Sequence, residues 1–75
     1  MKDYRNHVEI NPKIMLGKPV IKGTRIPVYI ILNLLAEGYT VDKIREEYPD
    51  LSTEDIAGAL QFAAGMVKFD EDIHV

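Results

Sequence analysis

Cysteine is absent from these 75 residues, which removes a disulfide frame, thiolate metal sites and cysteine nucleophiles together. Histidine is scarce. The two present, His7 and His74, stand near opposite ends without an evident orienting neighbour, so both are expected to be solvated and neither reads as an acid–base catalyst. The carboxylates lie on helix surfaces and at the C-terminus with no His or Cys at ligand spacing, so no metal or cofactor is expected. Long apolar runs are missing too. The richest, Ile26 to Ala36, is far short of a membrane span, and Met1 to Asn11 lacks the apolar centre of a secretion signal. These absences point to a non-enzymatic cytoplasmic protein that keeps clear of membranes.

Basic residues are unevenly distributed. Through Arg25 there are six Lys and Arg against two acids, a net of +4, and from Ile26 onward three against ten, a net of −7. The overall charge of −3 therefore hides a basic N-terminal region on an acidic body. Such asymmetry suits a charged partner or self-association. One apparent phosphate loop, Gly17 to Thr24, fails on detail: a lysine followed by Ser or Thr must come directly after the second glycine, and here Thr24 and Arg25 follow Gly23.

The stretch Thr40 to Phe69 reads as two helices joined by a tight corner, led into by a third helix from Pro27 to Ala36. Pro49 cannot extend a helix, and Asp50, Leu51 and Ser52 then supply a break and a fresh N-cap. Thr40 caps the helix before the corner, whose apolar face is Val41, Ile44 and Tyr48. After the corner, Ser52 and Asp55 approximate a capping box, and Ile56, Ala59, Leu60, Ala63 and Val67 are read as the core stripe. Phe62, Met66 and Phe69 occupy another side, with Gly58 and Gly65 permitting close approach of either the N-terminal region or a partner. Both readings of this side stay open.

The leading helix has Pro27 in its first turn and Gly38 just past its end. Between them nearly everything is apolar, so Ile30, Ile31, Leu32, Leu34 and Leu35 are read as a homodimer interface. A chain this short buries barely enough apolar surface to fold alone, which points the same way. Residues 1–25 read as an extended arm with one or two short strands, His7 to Asn11 and Val20-Ile21, pairing with each other across a dimer or lying on the helices. Residues 70–75 read as an acidic tail, either solvated or able to dock in a basic or metal-containing groove. The fold expected is a single domain, mainly α, with a helix-turn-helix body over residues 26–69.

In a helix-turn-helix the start of the second helix meets the bases, and Lys and Arg supply most of the affinity. Here that start is Thr53, Glu54, Asp55, Ala57 and Gly58, and no basic residue stands between Pro49 and Lys68. DNA contact would fall to Lys13, Lys18, Lys22 and Arg25. A protein partner would meet Phe62, Met66, Phe69, Asp70, Glu71 and Asp72.

The runs "GKPVIKGTRIPV", "LLAEGYTVDKI" and "DIAGAL" make the chain resemble the bacterial and archaeal domain-of-unknown-function family 433 over nearly its whole length. The resemblance implies a homeodomain-like helical domain with an N-terminal strand region. It also implies a VapB-like antitoxin role beside a PIN-like ribonuclease toxin. It carries over no catalytic set, and Gly23, Thr24, Arg25, Ile26 and Pro27 enter only as a structural signature. Two further roles remain in view: a stand-alone DNA-binding regulator, and an interaction module that binds no DNA.

Overall fold

The computed structural model describes residues 3–73, with the side chains of all of these except Arg5 and residues 69–73. Two strands, β1 (Val8–Glu9) and β2 (Val20–Ile21), precede three helices, α1 (Val28–Ala36), α2 (Val41–Glu47) and α3 (Thr53–Ile73). Short 3-10 turns cover Arg5–His7 and Met15–Gly17. The chain is mainly helical, with a three-helix body and a small antiparallel sheet. Among the described residues no helix is long and apolar enough to cross a membrane.

The strands pair within one chain, Val8 opposite Ile21 and Glu9 opposite Val20. Two-residue strands would be marginal alone, and burial supports these: Val20 and Ile21 are both 0% exposed. Backbone bonds tie β2 to the start of α1, with Ile21 N–H donating to Ile26 O (2.9 Å) and Val28 N–H to Pro19 O (2.9 Å). The strands of the N-terminal arm therefore pair with each other inside one chain, and the second of them is part of the core. Gly23 turns the chain after β2 at φ 81°, which suits a residue without a Cβ. The Thr24 hydroxyl donates to Ile21 O (2.7 Å) and accepts from Ile26 N–H (3.0 Å), closing that turn.

Pro27 sits one position earlier than expected. It is the N-cap of α1, extended at φ −67° and ψ 145°, and bridges to Val20 rather than forming part of the first turn. At the other end Gly38 N–H bonds Leu35 O and Tyr39 N–H bonds Leu34 O (both 3.0 Å), a Schellman stop. Thr40 Oγ1 accepts from Lys43 N–H (3.1 Å) to start α2. The corner after it is pinned by Arg45, whose Nε donates to Leu51 O (3.1 Å). Ser52 and Asp55 then close a reciprocal capping box, each backbone N–H reaching the other's side chain at 3.0 Å.

The core is Ile21, Val28, Ile31, Ile44, Leu51, Ile56 and Ala59. This revises two expectations. On α3, Leu60 and Val67 are 46% and 67% exposed, while Phe62 packs against the core; the buried stripe is rotated toward Phe62. On α1, Ile31 is 0% exposed inside its own chain, and Leu32, Leu34 and Leu35 also pack on that core, so Ile31 is closed to any second subunit. The apolar girth of α1 is explained largely by its own sheet and helices. Finally, α3 does not stop at Phe69: its backbone stays helical to Ile73, so the acidic stretch 70–72 belongs to the helix. His74 and Val75 lie outside the described residues.

Candidate functional site

An apolar groove opens where α1 and α3 diverge. It encloses about 280 Å³, with Val28, Tyr29 and Leu32 on one wall, Phe62, Ala63 and Met66 on the other, and Lys18-Pro19 at the rim. Its walls follow from helical spacing, since residues three and four apart share a face. Met66 is 61% exposed and Tyr29 45%, so the groove presents apolar surface rather than burying it. The Lys18 ammonium lies 5.2 Å from the centroid of the Tyr29 ring, a cation–π arrangement that holds a positive charge beside an apolar trough.

A second depression has mixed charge. About 600 Å³ in volume, it is lined by Lys22, Gly23, Thr24 and Arg25 of the turn together with Glu9, Asp50, Asp55, Ile14 and Ile26. Two cations face three carboxylates, so this cleft offers a polyanion no consistent attraction. No three His, Asp or Glu side chains among the described residues come together to hold a metal.

Beside that cleft, the N-terminal segment is strapped to α3. His7 Nδ1 lies 2.7 Å from Asp55 Oδ1, donating to the carboxylate, and Tyr4 N–H donates to Gln61 Oε1. The ring of Tyr4 meets that of His7 edge-on. Where the segment crosses α3 stands Gly58; a Cβ there would fall 2.5 Å from Tyr4 O and 3.1 Å from His7 Cβ. Burial alone would raise the Asp55 pKa, but hydrogen bonds from Ser52 N–H, His7 and the Ser52 hydroxyl, with the charge of His7, outweigh it and leave the carboxyl lowered. His7 is thus a structural clasp, not a solvated bystander.

The expected site residues divide among these features. Lys22 and Arg25 line the mixed-charge cleft, Lys18 belongs to the apolar groove, and Lys13 lines neither, so the four are divided among different features. Phe62 and Met66 come together in the groove as a partner surface would require; Phe69, Asp70, Glu71 and Asp72 continue α3 beyond it, their side chains lying outside the described set. Of the α1 residues, Leu32 is in the groove, Ile31 is core, and Ile30, Leu34 and Leu35 are half-buried. Sequence reasoning missed Tyr29 and Pro19. It also missed the His7–Asp55 clasp, whose partners are 48 residues apart.

A family model described as "Protein of unknown function (DUF433)" matches residues 8–63. "Uncharacterized protein y4eO" of Sinorhizobium fredii (strain NBRC 101917 / NGR234) is 39% identical over 59 residues, which is 79% of this chain and 27% of that protein. The chain thus spans about a quarter of the length of that relative. The crystal structure of a DUF433 member protein from Anabaena variabilis ATCC 29413 has the same fold, with a TM-score of 0.75 at 27% identity, covering 93% of this chain and 70% of that one.

Proposed function

Because the chain belongs to the DUF433 family, we propose that it is a VapB-like antitoxin: a non-catalytic, cytoplasmic homodimer that binds and neutralises a PIN-like ribonuclease toxin. The groove between α1 and α3 carries this reading. An open apolar trough on a small domain is a docking surface, and Phe62 and Met66 give it the aromatic and flexible sulfur side chains that adapt to a partner. The acidic run Asp70, Glu71 and Asp72 extends α3 past the trough, and carboxylates suit the electropositive active cleft of a ribonuclease.

Autoregulatory DNA contact is the lesser part of this reading. It falls to Lys22 and Arg25, with Lys13, because the start of α3 is acidic at Glu54 and partly covered by the Tyr4–His7 strap. A stand-alone regulator would need a stronger basic face than that.

The experiment is inhibition of a co-encoded PIN-like ribonuclease by the full chain and by Met66→Asp and Tyr29→Ala. Both sites are exposed enough to change without unfolding the domain. A loss of inhibition on the order of tenfold or more is expected for Met66→Asp, since it places a charge in an apolar contact. Undiminished inhibition by both variants, or no binding by the unaltered chain, overturns the reading.

A further inference from the structure

We propose that the outward face of α3 is a self-pairing seam, along which two copies of this chain pack antiparallel with Ala57, Leu60, Ala64 and Val67 interlocked. The inference deepens the homodimer of the preceding reading by giving it a surface, one distinct from the partner groove.

The seam is a matter of spacing and exposure. Ala57, Leu60, Ala64 and Val67 follow one another at intervals of three, four and three, the repeat of a two-helix interface. They lie on the flank of α3 beside the buried Ile56 and away from Ala59, and no described residue covers them fully: Leu60 is 46% exposed, Val67 67%, and Ala64 is exposed. Leu60 and Val67 are among the most exposed large apolar side chains of the molecule. The groove residues Phe62 and Met66 point to a different side of the helix, so both surfaces can be used at once.

Two features select a second copy, and in one orientation. Antiparallel pairing about the middle of this stripe sets Ala57 against Val67 of the other helix and Leu60 against Ala64, so each layer joins a small residue to a larger one and the backbones can approach closely. Parallel pairing would set Leu60 on Leu60 and Ala57 on Ala57, alternating crowding with gaps. Charge agrees with the antiparallel choice. Glu54 and Lys68 are exposed, two heptads apart, and flank the stripe on the same edge. Reversal of one helix brings Lys68 of each copy beside Glu54 of the other, two opposite-charge contacts by symmetry. In the parallel arrangement neither finds an opposite charge on the facing edge.

A seam of four layers is at the low end of specific interfaces, about 1,000 Å² in total, so association with a Kd on the order of 10 µM is expected. The test is sedimentation of the full chain at about 100 µM, well above that constant, with helicity checked by circular dichroism. The unaltered chain should be dimeric, and Leu60→Glu monomeric yet folded. Glu54→Lys and Lys68→Glu should each weaken the dimer about tenfold or more through like-charge contacts, while an equimolar mixture of the two should dimerise again, because each then meets its complement. A monomeric unaltered chain overturns the proposal. So does a dimer that survives Leu60→Glu, or charge variants that fail to rescue one another. Failure here leaves toxin inhibition untouched as a separate measurement: Leu60→Glu should still compete for the groove partner, whereas Met66→Asp should not.

Discussion

The two halves of α3 are built on different terms. The first is fastened from every side: a reciprocal Ser52–Asp55 box starts it, His7 grips Asp55, Tyr4 crosses Gly58, and Ile56 and Ala59 are 1% and 0% exposed in the core. The second half has none of this. Residues 64–68 are all exposed as the helix runs on toward Ile73. Helical propensity sustains such an overhang only weakly, and on the reading proposed above its exposed Met66 and Val67 would be covered by a partner. The fold is fastened in the first half of this helix, and the second leaves its apolar side chains exposed.

The largest expected departure comes from Gly58. In Gly58→Ala the new Cβ meets the Tyr4 carbonyl, a backbone atom with no rotamer to escape by. The strap must lift, with loss of the His7–Asp55 and Tyr4–Gln61 bonds. Even after the gain of about 1 kcal/mol in helix propensity, a net loss of about 1–3 kcal/mol is expected from overpacking. Urea unfolding measures it, and faster hydrogen exchange at His7, whose N–H bonds Tyr4 O, should accompany it. An unchanged midpoint would mean that the strap is not what sets the first half apart.

A smaller effect tests the clasp by pH. The folded Asp55 carboxyl is lowered from its ordinary value of 3.8, so in acid the unfolded chain takes up the proton first and stability rises with pH across that window. The contribution is present in full above the unfolded value and is lost as pH falls through the folded one. Asp55→Asn keeps an oxygen for the Ser52 N–H and removes the charge. It should cost about 1 kcal/mol near neutrality, and the difference from the unaltered chain should shrink as pH falls below the ordinary carboxylate range and through the lowered folded value. A difference that stays constant with pH would assign Asp55 a packing role only.

Much of this architecture is readable locally. Thr40, Gly38, Pro49 and the Ser52–Asp55 box act within four residues of themselves, so their chemistry is visible in the letters alone, and the helix-turn-helix order follows. The rotation of α3 was not readable, because Ile56 and Ala59 are compatible with a stripe continuing through Leu60 or through Phe62. What decides between them is the placement of α1 and of the Tyr4–His7 strap, set by residues far away in sequence. Val20 and Ile21 form a strand too short to display alternation, so their complete burial had no signature. The groove was half legible: Phe62 and Met66 stood out as a separate side, whereas Tyr29 and Pro19 join it only through the fold.

The smallest expected effect is also the sharpest, because it repeats the first substitution one heptad later. Gly65 follows Gly58 by seven residues and therefore lies on nearly the same side of α3. Among the described residues, no heavy atom beyond the adjacent residues and the helix's own backbone stands within 4 Å of a Cβ built there, and its φ is not positive. Gly65→Ala meets neither a clash nor strained backbone, and restricts the unfolded chain more than the folded one. A gain of about 0.5–1 kcal/mol is expected, opposite in sign to Gly58→Ala on the same face of the same helix. Only the strap separates the two sites, so the pair measures its contribution by difference in one urea titration series. The seam of Ala57, Leu60, Ala64 and Val67 lies on another side, so the dimer should keep its midpoint in sedimentation. A loss of stability at Gly65 would break the comparison, since it would mean that a second molecule approaches the overhang there as closely as Tyr4 approaches Gly58.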